Sequence, residues 1–429
     1  MTMHYKIHYG KGTLGLDVDG THLTKVDRMK APGPAKDPAA LVRKAVDSPL
    51  KARSLREFVT DPGHRRLLFI VNDTDRPTPT PVMLGAILDL IKEAMAMNGK
   101  EVKVLVGSGS HKPPGEAELK QIFGDTLPVL RPLIVLHAAK DDKRLVTFGT
   151  TKRGTICSLD SWVDWADSLI ILGSIEPHYF AGFTGGRKWI IGCGAYTTLE
   201  ANHRFAISNE CRPMKLKDNP VHLDLVEMQD LVKKDKFGIM AVQDADSRVL
   251  SVLAGDMTAA FEAGVDISRK ANCVVIEGPV DIVVAVAREP LSRTLYQAQK
   301  AMEHGGIAVK DGGHLILVAA CEEGCGPPNF VEYISSGTPE EILANVDKQY
   351  KLGYHKSARI LLMVKRMEVH VVTELNEEVV RAVHMKKAKG LQEAVDETIG
   401  KVGKAAKLLV LENGGVTVPQ MVCELRPER

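Results

Sequence analysis

The chain has 429 residues, 44% hydrophobic and 26% charged, the make-up of a globular protein long enough for two or three domains. Its 56 basic and 54 acidic residues leave a formal charge of +2, so neither nucleic acid nor an anionic membrane is expected as the main partner. Aromatics are only 5%, so the core must be largely aliphatic, as in a buried parallel sheet, and the seven scattered cysteines read as reduced thiols of a cytoplasmic protein.

Taken in chain order, MTMHYKIHYGKG lacks the apolar stretch of a signal peptide, and no later apolar run is long enough for a membrane span. Leu67–Val71 reads as a strand, and Val82–Met97 as a helix with Pro81 in its first turn. Val102–Val106 is the next strand, Gly115–Phe123 a helix, and Val129–Leu136 and Ser168–Leu172 are further strands. The pattern resets near Asn272. Strands at Val274–Ile276 and Asp281–Ala287 precede a helix at Ser292–His304 with Ser292 as its cap. Then follow a strand at His314–Ala320, a helix at Pro339–Leu352 capped by Thr338, and strands at Ile360–Val364 and Val369–Val372. Helices at Asn376–Met385 and Leu391–Ala406 and a strand at Leu408–Leu411 complete the pattern. This alternation predicts two α/β domains with mostly parallel sheets, residues 1–275 and 276–429.

Ligands of open α/β sheets bind beyond the carboxyl ends of strands. Four polar motifs fall there and predict an active-site crevice shared between the domains: NDTDRP from Asn72, GSGSHK from Gly107, GSIEPH from Gly173 and REP from Arg288. In Asn72–Thr80, Arg76 suits a carboxylate or phosphate gripped in bidentate fashion; a plain surface turn with Thr78 or Thr80 capping the next helix fits equally. In Gly107–Gly115, small residues offer backbone N–H groups to an anion and aim His111 as an acid or base; the alternative is a glycine-rich loop with a solvated His. The most specific segment is EPHYFAGFTGGRK, Glu176–Lys188. Its glycines make sense if backbone must lie against a bulky ligand, and Lys188 can serve as a phosphate-binding cation or a nucleophile. The spacing is not that of a Walker loop. His203 follows fifteen residues after Lys188 and is either structural or a metal ligand. On the helix that starts at Ser292, Tyr296 and Lys300 share a face and Gln297 is near them, as a binding group or a solvated surface. Cys321 and Cys325 are four apart, with no second pair or nearby His to complete a zinc set. No GxGxxG follows the first strand, so a dissociable dinucleotide is not expected, and the GxSxG and HExxH motifs are absent.

In this order and spacing the motifs resemble the nickel-dependent lactate racemase family, whose hallmark is the PHxFAGxxGGxK run. The resemblance implies a 2-hydroxyacid racemase or epimerase using nickel held by a pincer nucleotide, a pyridinium-3-thioamide-5-thiocarboxylate mononucleotide. It implies attachment of that cofactor at Lys188, with Asp73, Thr74, Gly185 and Gly186 around cofactor or substrate. His203 becomes the nickel ligand, His111 and His178 the acid and base, and Arg76, Tyr296, Gln297 and Lys300 the substrate grip. It further implies accessory proteins that make the cofactor, and it leaves room for a homo-oligomer. The chemistry is coherent. Abstracting a proton beside a carboxylate is difficult, whereas removing hydride yields a planar 2-ketoacid that can be reduced from either face. Two His on opposite sides then match the symmetry of the reaction. Family members close the pocket around a methyl group with a Trp. Here Tyr350–Arg359 has none, and Tyr354 or His355 fills the place, which suits malate, a larger 2-hydroxyacid or a sugar acid. The competing readings are a zinc hydrolase using His111, His178 and His203, and a non-catalytic anion-binding protein.

Overall fold

The computed structural model describes residues 1–422. The chain divides into two compact units: Lys30–Glu176 with Phe180–Ala271, and Met1–Met29 with Pro177–Tyr179 and the residues from Asn272 onward.

The first unit is built on a six-stranded sheet in the order Val249–Gly255, Asp235–Gln243, Ser168–Ser174, Arg66–Asn72, Glu101–Gly107, Ile134–Leu136. All neighbours are parallel except the first pair, which is antiparallel. Ser168–Ser174 is buried along its whole length, as a central strand covered on both faces must be. The helix Thr80–Ala96 turns Met83, Leu84, Ile87, Ile91 and Ala94 inward at helical spacing, onto Leu67, Phe69 and Val71. Each large apolar side chain so buried contributes about 1.5–3 kcal/mol.

The second unit carries a five-stranded parallel sheet, Lys386–Lys387, Glu368–Val372, Val309–Val318, Val280–Val286, Leu408–Leu411. The hairpin Thr2–Tyr9 and Gly12–Asp19 belongs to it, because Ile7, Leu16 and Val18 pack with Ile282, Val284 and Leu408. Sequence reasoning had grouped this hairpin with residues 1–275; its alternating polar pattern gives no sign of which core it covers.

Several expected elements differ. Val129–Leu136 is a strand only over Ile134–Leu136; the residues before it form the short helices Leu127–Leu130 and Arg131–Leu133, each with a proline in its first turn. Ile360–Val364 is not a strand but part of the helix Tyr354–Arg366, which buries Ala358, Ile360, Leu361 and Met363; a short apolar run does not separate the two periods. The helix expected from Ser292 begins at Leu295 and is capped by the Thr294 side chain, while Ser292 Oγ bonds Glu289 Oε1. The Thr338 cap is present, but its helix stops at Asn345. Neither Thr78 nor Thr80 caps the first long helix, whose cap position is Pro79. No helix among the described residues is long and apolar enough to cross a membrane.

Candidate active site

In the first unit, Ser168–Ser174, Arg66–Asn72 and Glu101–Gly107 are parallel neighbours, so their carboxyl ends deliver three of the polar motifs to one edge. The side chains interlock there. Asn72 Nδ2 donates to Thr78 Oγ1 at 2.8 Å, and Thr78 Oγ1 lies 2.8 Å from Ser174 Oγ. His111 Nδ1 sits 2.7 Å from Asp73 Oδ2 and 3.2 Å from Asp75 Oδ2. A carboxylate on Nδ1 fixes the ring and leaves Nε2 as the nitrogen able to exchange a proton. The Asp73 carboxylate is therefore engaged with His111, a role that the sequence did not indicate. Thr74 and Arg76 are half-buried in the same turn, and none of the ion pairs among the described residues uses Arg76.

The glycines also have a reason within the chain itself. Gly185 (φ +71°) and Gly186 (φ +49°) adopt left-handed backbone, and a Cβ on Gly185 would stand 2.8 Å from the Ser174 carbonyl oxygen. On Gly186 it would stand 2.7 Å from the Phe261 ring. The chain's own atoms thus require glycine at both positions. The Gly107–Gly109 loop is similar: Gly109 N–H donates to Gly192 O at 2.9 Å and His111 N–H to Ser108 O at 3.0 Å, so these donors are not free for an anion.

Arg187 was not singled out from the sequence, yet it pins the turn. Its guanidinium, 2% exposed, donates to the carbonyls of Ala181 (2.6 Å), Phe183 (3.0 Å) and Gly185 (3.3 Å). Burial pulls its pKa down to about 9. Thr184 Oγ1 ties the other side of the turn to Ser174 O and to the Glu176 carboxylate.

Lys188 ends this turn, half-buried, with Nζ 5.5 Å from the centre of the Phe180 ring. His203, on the helix Tyr196–Arg204, meets the same ring edge-on at 5.1 Å. Phe180 is held by Asn219, whose Nδ2 donates to its carbonyl at 2.8 Å. The helix bearing His203 is tied down by Asn202 on Asp224 (2.8 Å) and Thr198 on Ile156 O (2.7 Å). An amine and an imidazole fifteen residues apart thus flank one aromatic ring.

His178 groups with the second unit, buried and stacked on Tyr179 at 4.9 Å. Tyr179 also neighbours Lys356 and Arg359. Lys356, 5% exposed, lies 3.8 Å from the centre of the Tyr296 ring and donates to Tyr296 O at 2.5 Å. Arg359 forms a bidentate pair with Glu303 at 2.6 and 2.7 Å, and Gln299 donates to the same carboxylate. Tyr296, Gln297 and Lys300 are all half-buried on the helix Leu295–Gly306. Tyr354 stacks on Tyr333 at 3.6 Å, and His355 Nδ1 lies 2.8 Å from the Tyr350 hydroxyl. Tyr350–Arg359 therefore brings charge to Tyr296 through Lys356, a residue the sequence reading did not single out.

Among the described residues, His111 and His203 share no metal-ligand cluster, since the neighbours of His111 are Asp73 and Asp75. Burial raises the Cys321 thiol to about 12 and the Cys325 thiol to about 11, and they join no such cluster either.

Comparison with known proteins adds independent findings. Residues 9–214 match the lactate racemase N-terminal domain and residues 275–419 the lactate racemase C-terminal domain. The lactate racemase of Lactiplantibacillus plantarum is 31% identical over 88% of this chain and 90% of its own length. That of Thermoanaerobacterium thermosaccharolyticum is 28% identical over 95% of this chain and 97% of its own. The structure of the lactate racemase apoprotein from the latter organism superposes with a TM-score of 0.88 at 26% identity, covering 97% of this chain and all of that one. A Thermotoga maritima protein shares the fold at a TM-score of 0.69 and 16% identity, over 91% of this chain and all of its own.

Proposed function

The chain belongs to the lactate racemase family, and from that premise we propose that it racemises or epimerises a 2-hydroxyacid with a nickel-pincer nucleotide tethered at Lys188. The observation that carries this reading is the placing of Lys188 and His203 around the Phe180 ring. A primary amine for a covalent link and an imidazole for a borderline metal are the donors such a group requires.

When bound, the group supplies a reversible hydride acceptor. The chain's own residues do the rest. His111, oriented by Asp73, exchanges the hydroxyl proton on one side of the substrate, and His178, braced by Tyr179, does so on the other. Arg76 and Lys300 grip the carboxylate, with Gln297 and Tyr296 beside them. Thr74, Gly185 and Gly186 contribute to the cofactor surroundings through the turns that they form. On this reading Lys188 and His203, both in the unit that contains Lys30–Glu176, hold the cofactor. The substrate is lactate or, given the buried cation Lys356 beside Tyr296, an acid with a polar side chain such as malate or a sugar acid. Cytoplasmic accessory proteins make and load the cofactor.

The test is co-expression with those accessory proteins. The expected result is one nickel per chain and a mass increase confined to the peptide containing Lys188. Nickel-free, unmodified protein with full racemase activity would overturn the reading.

A further inference from the structure

In the second unit, Val309–Val318 and Glu368–Val372 are parallel neighbours, with His314 opposite Glu368 and Ile316 opposite His370. Side chains alternate along a strand, so Glu368 and His370 share a face and His314 joins them from next door. His370 Nε2 lies 2.7 Å and His314 Nδ1 3.7 Å from Glu368 Oε1, and one ligand atom of each residue falls within 4.8 Å of the others. The two His are 9% and 5% exposed, and His314 Nδ1 makes no hydrogen bond. A buried imidazole nitrogen without a bond at His314, and a second at His370 with only this carboxylate beside it, are costly unless something joins them.

We propose that His314, Glu368 and His370 form a second metal site, which binds a divalent ion of the zinc or nickel class. Two imidazoles and one carboxylate suit such borderline ions rather than calcium or magnesium. Metal–ligand bonds of about 2.1 Å in a tetrahedron put donor atoms about 3.4 Å apart, and the two distances to Glu368 Oε1 bracket that value. Burial holds both His below their usual pKa, so they are neutral and ready to ligate near pH 7. Lys386 donates to Glu368 Oε2 at 2.6 Å and Lys401 to Oε1 at 3.1 Å. Both amines stand on largely exposed side chains, so Lys401 can swing out as the ion takes Oε1 while Lys386 keeps Oε2. Glu368 and Lys386 also line an open cleft of about 320 Å³, which gives an ion a way in. The ion would staple two adjacent strands of the sheet, independently of any cofactor at Lys188.

The test uses the full chain made without the accessory proteins, stripped with a chelator and titrated with zinc. The expected result is one tightly bound equivalent and a raised Tm, both kept in the His111→Gln/His203→Gln double variant. His314→Gln and His370→Gln, each checked for native circular dichroism, should weaken binding more than tenfold. Lys401→Met should tighten it severalfold by removing the competing ammonium, which a metal-free ion-pair network could not show. No bound zinc in the wild-type chain, or zinc held equally well by His370→Gln, would overturn the proposal.

Discussion

Replacing Gly185 by alanine separates two reasons for a glycine in the Lys188 turn. Gly185 has φ +71° and ψ −170°, a conformation that is almost confined to glycine, and holding alanine there costs about 1–3 kcal/mol. The added Cβ would also meet Ser174 O and Ile175 Cγ1 at 2.8 Å, and crowding of that kind costs about 1–3 kcal/mol more. The sum, about 2–6 kcal/mol, is a large part of the 5–15 kcal/mol that typically holds a domain together. Gly154→Ala is the control. That residue has φ +84° but nothing within 4 Å of a Cβ, so only backbone strain of about 1–2 kcal/mol applies. Urea unfolding of the cofactor-free protein, followed by the fluorescence of buried Trp189, reads the difference. Gly185→Ala is expected to be the less stable by at least 1 kcal/mol before any ligand is present. Equal stability of the two variants, with cofactor loading lost only in Gly185→Ala, would refute this reasoning and return the glycine to the role of making room for a ligand.

Three further outcomes follow from named contacts. Asp73→Asn removes the carboxylate that orients His111, and kcat of the loaded enzyme is expected to fall about 100-fold or more in steady-state assays. Arg359→Leu leaves the Glu303 carboxylate, only 7% exposed, without its cation and should cost about 3–5 kcal/mol in urea unfolding, while Arg359→Leu/Glu303→Leu should recover much of that loss. Burial depresses His304 from 6.5 to about 4; both states are neutral above pH 6.5, so its penalty arises only as pH falls and the unfolded chain alone takes up the proton. Stability should drop by ~3 kcal/mol between pH 6.5 and 4 on this account, and His304→Asn should flatten that limb of the unfolding profile.

What could be read from the sequence depended on how local the signal was. Continuous apolar runs such as Leu67–Val71 and Ser168–Leu172 identified central strands, because a strand buried on both faces has few polar positions. The antiparallel pair Asp235–Gln243 and Val249–Gly255 went unnoticed, as did the hairpin Thr2–Asp19 and its place in the second unit. Their assignment depends on which core they cover, and that is a long-range fact. Ile360–Val364 reads as a strand because five apolar residues fit either period, and its buried face is apparent only over the full helix Tyr354–Arg366. In the site, Lys188 and His111 stand in unusual local contexts, whereas His203 takes its role only from the family resemblance. Arg187, Phe180 and Lys356 do not stand out, since each acts through partners far along the chain or on backbone carbonyls: Asn219 for Phe180, Tyr296 for Lys356, and three turn carbonyls for Arg187. Nothing local marks the two cationic residues, since Arg187 stands between Gly186 and Lys188 and Lys356 between His355 and Ser357, as exposed charges commonly do.

The central claim is that this chain interconverts the two configurations of a 2-hydroxyacid through a group bound at Lys188. Chiral analysis of the loaded enzyme, given each pure enantiomer of lactate and malate and each C2 epimer of a sugar acid, tests it most directly. For one of these acids, either starting form should converge on the same mixture, and Lys188→Ala should abolish the conversion. Full activity in Lys188→Ala, or no conversion of any 2-hydroxyacid by enzyme shown by mass to be loaded, would contradict it.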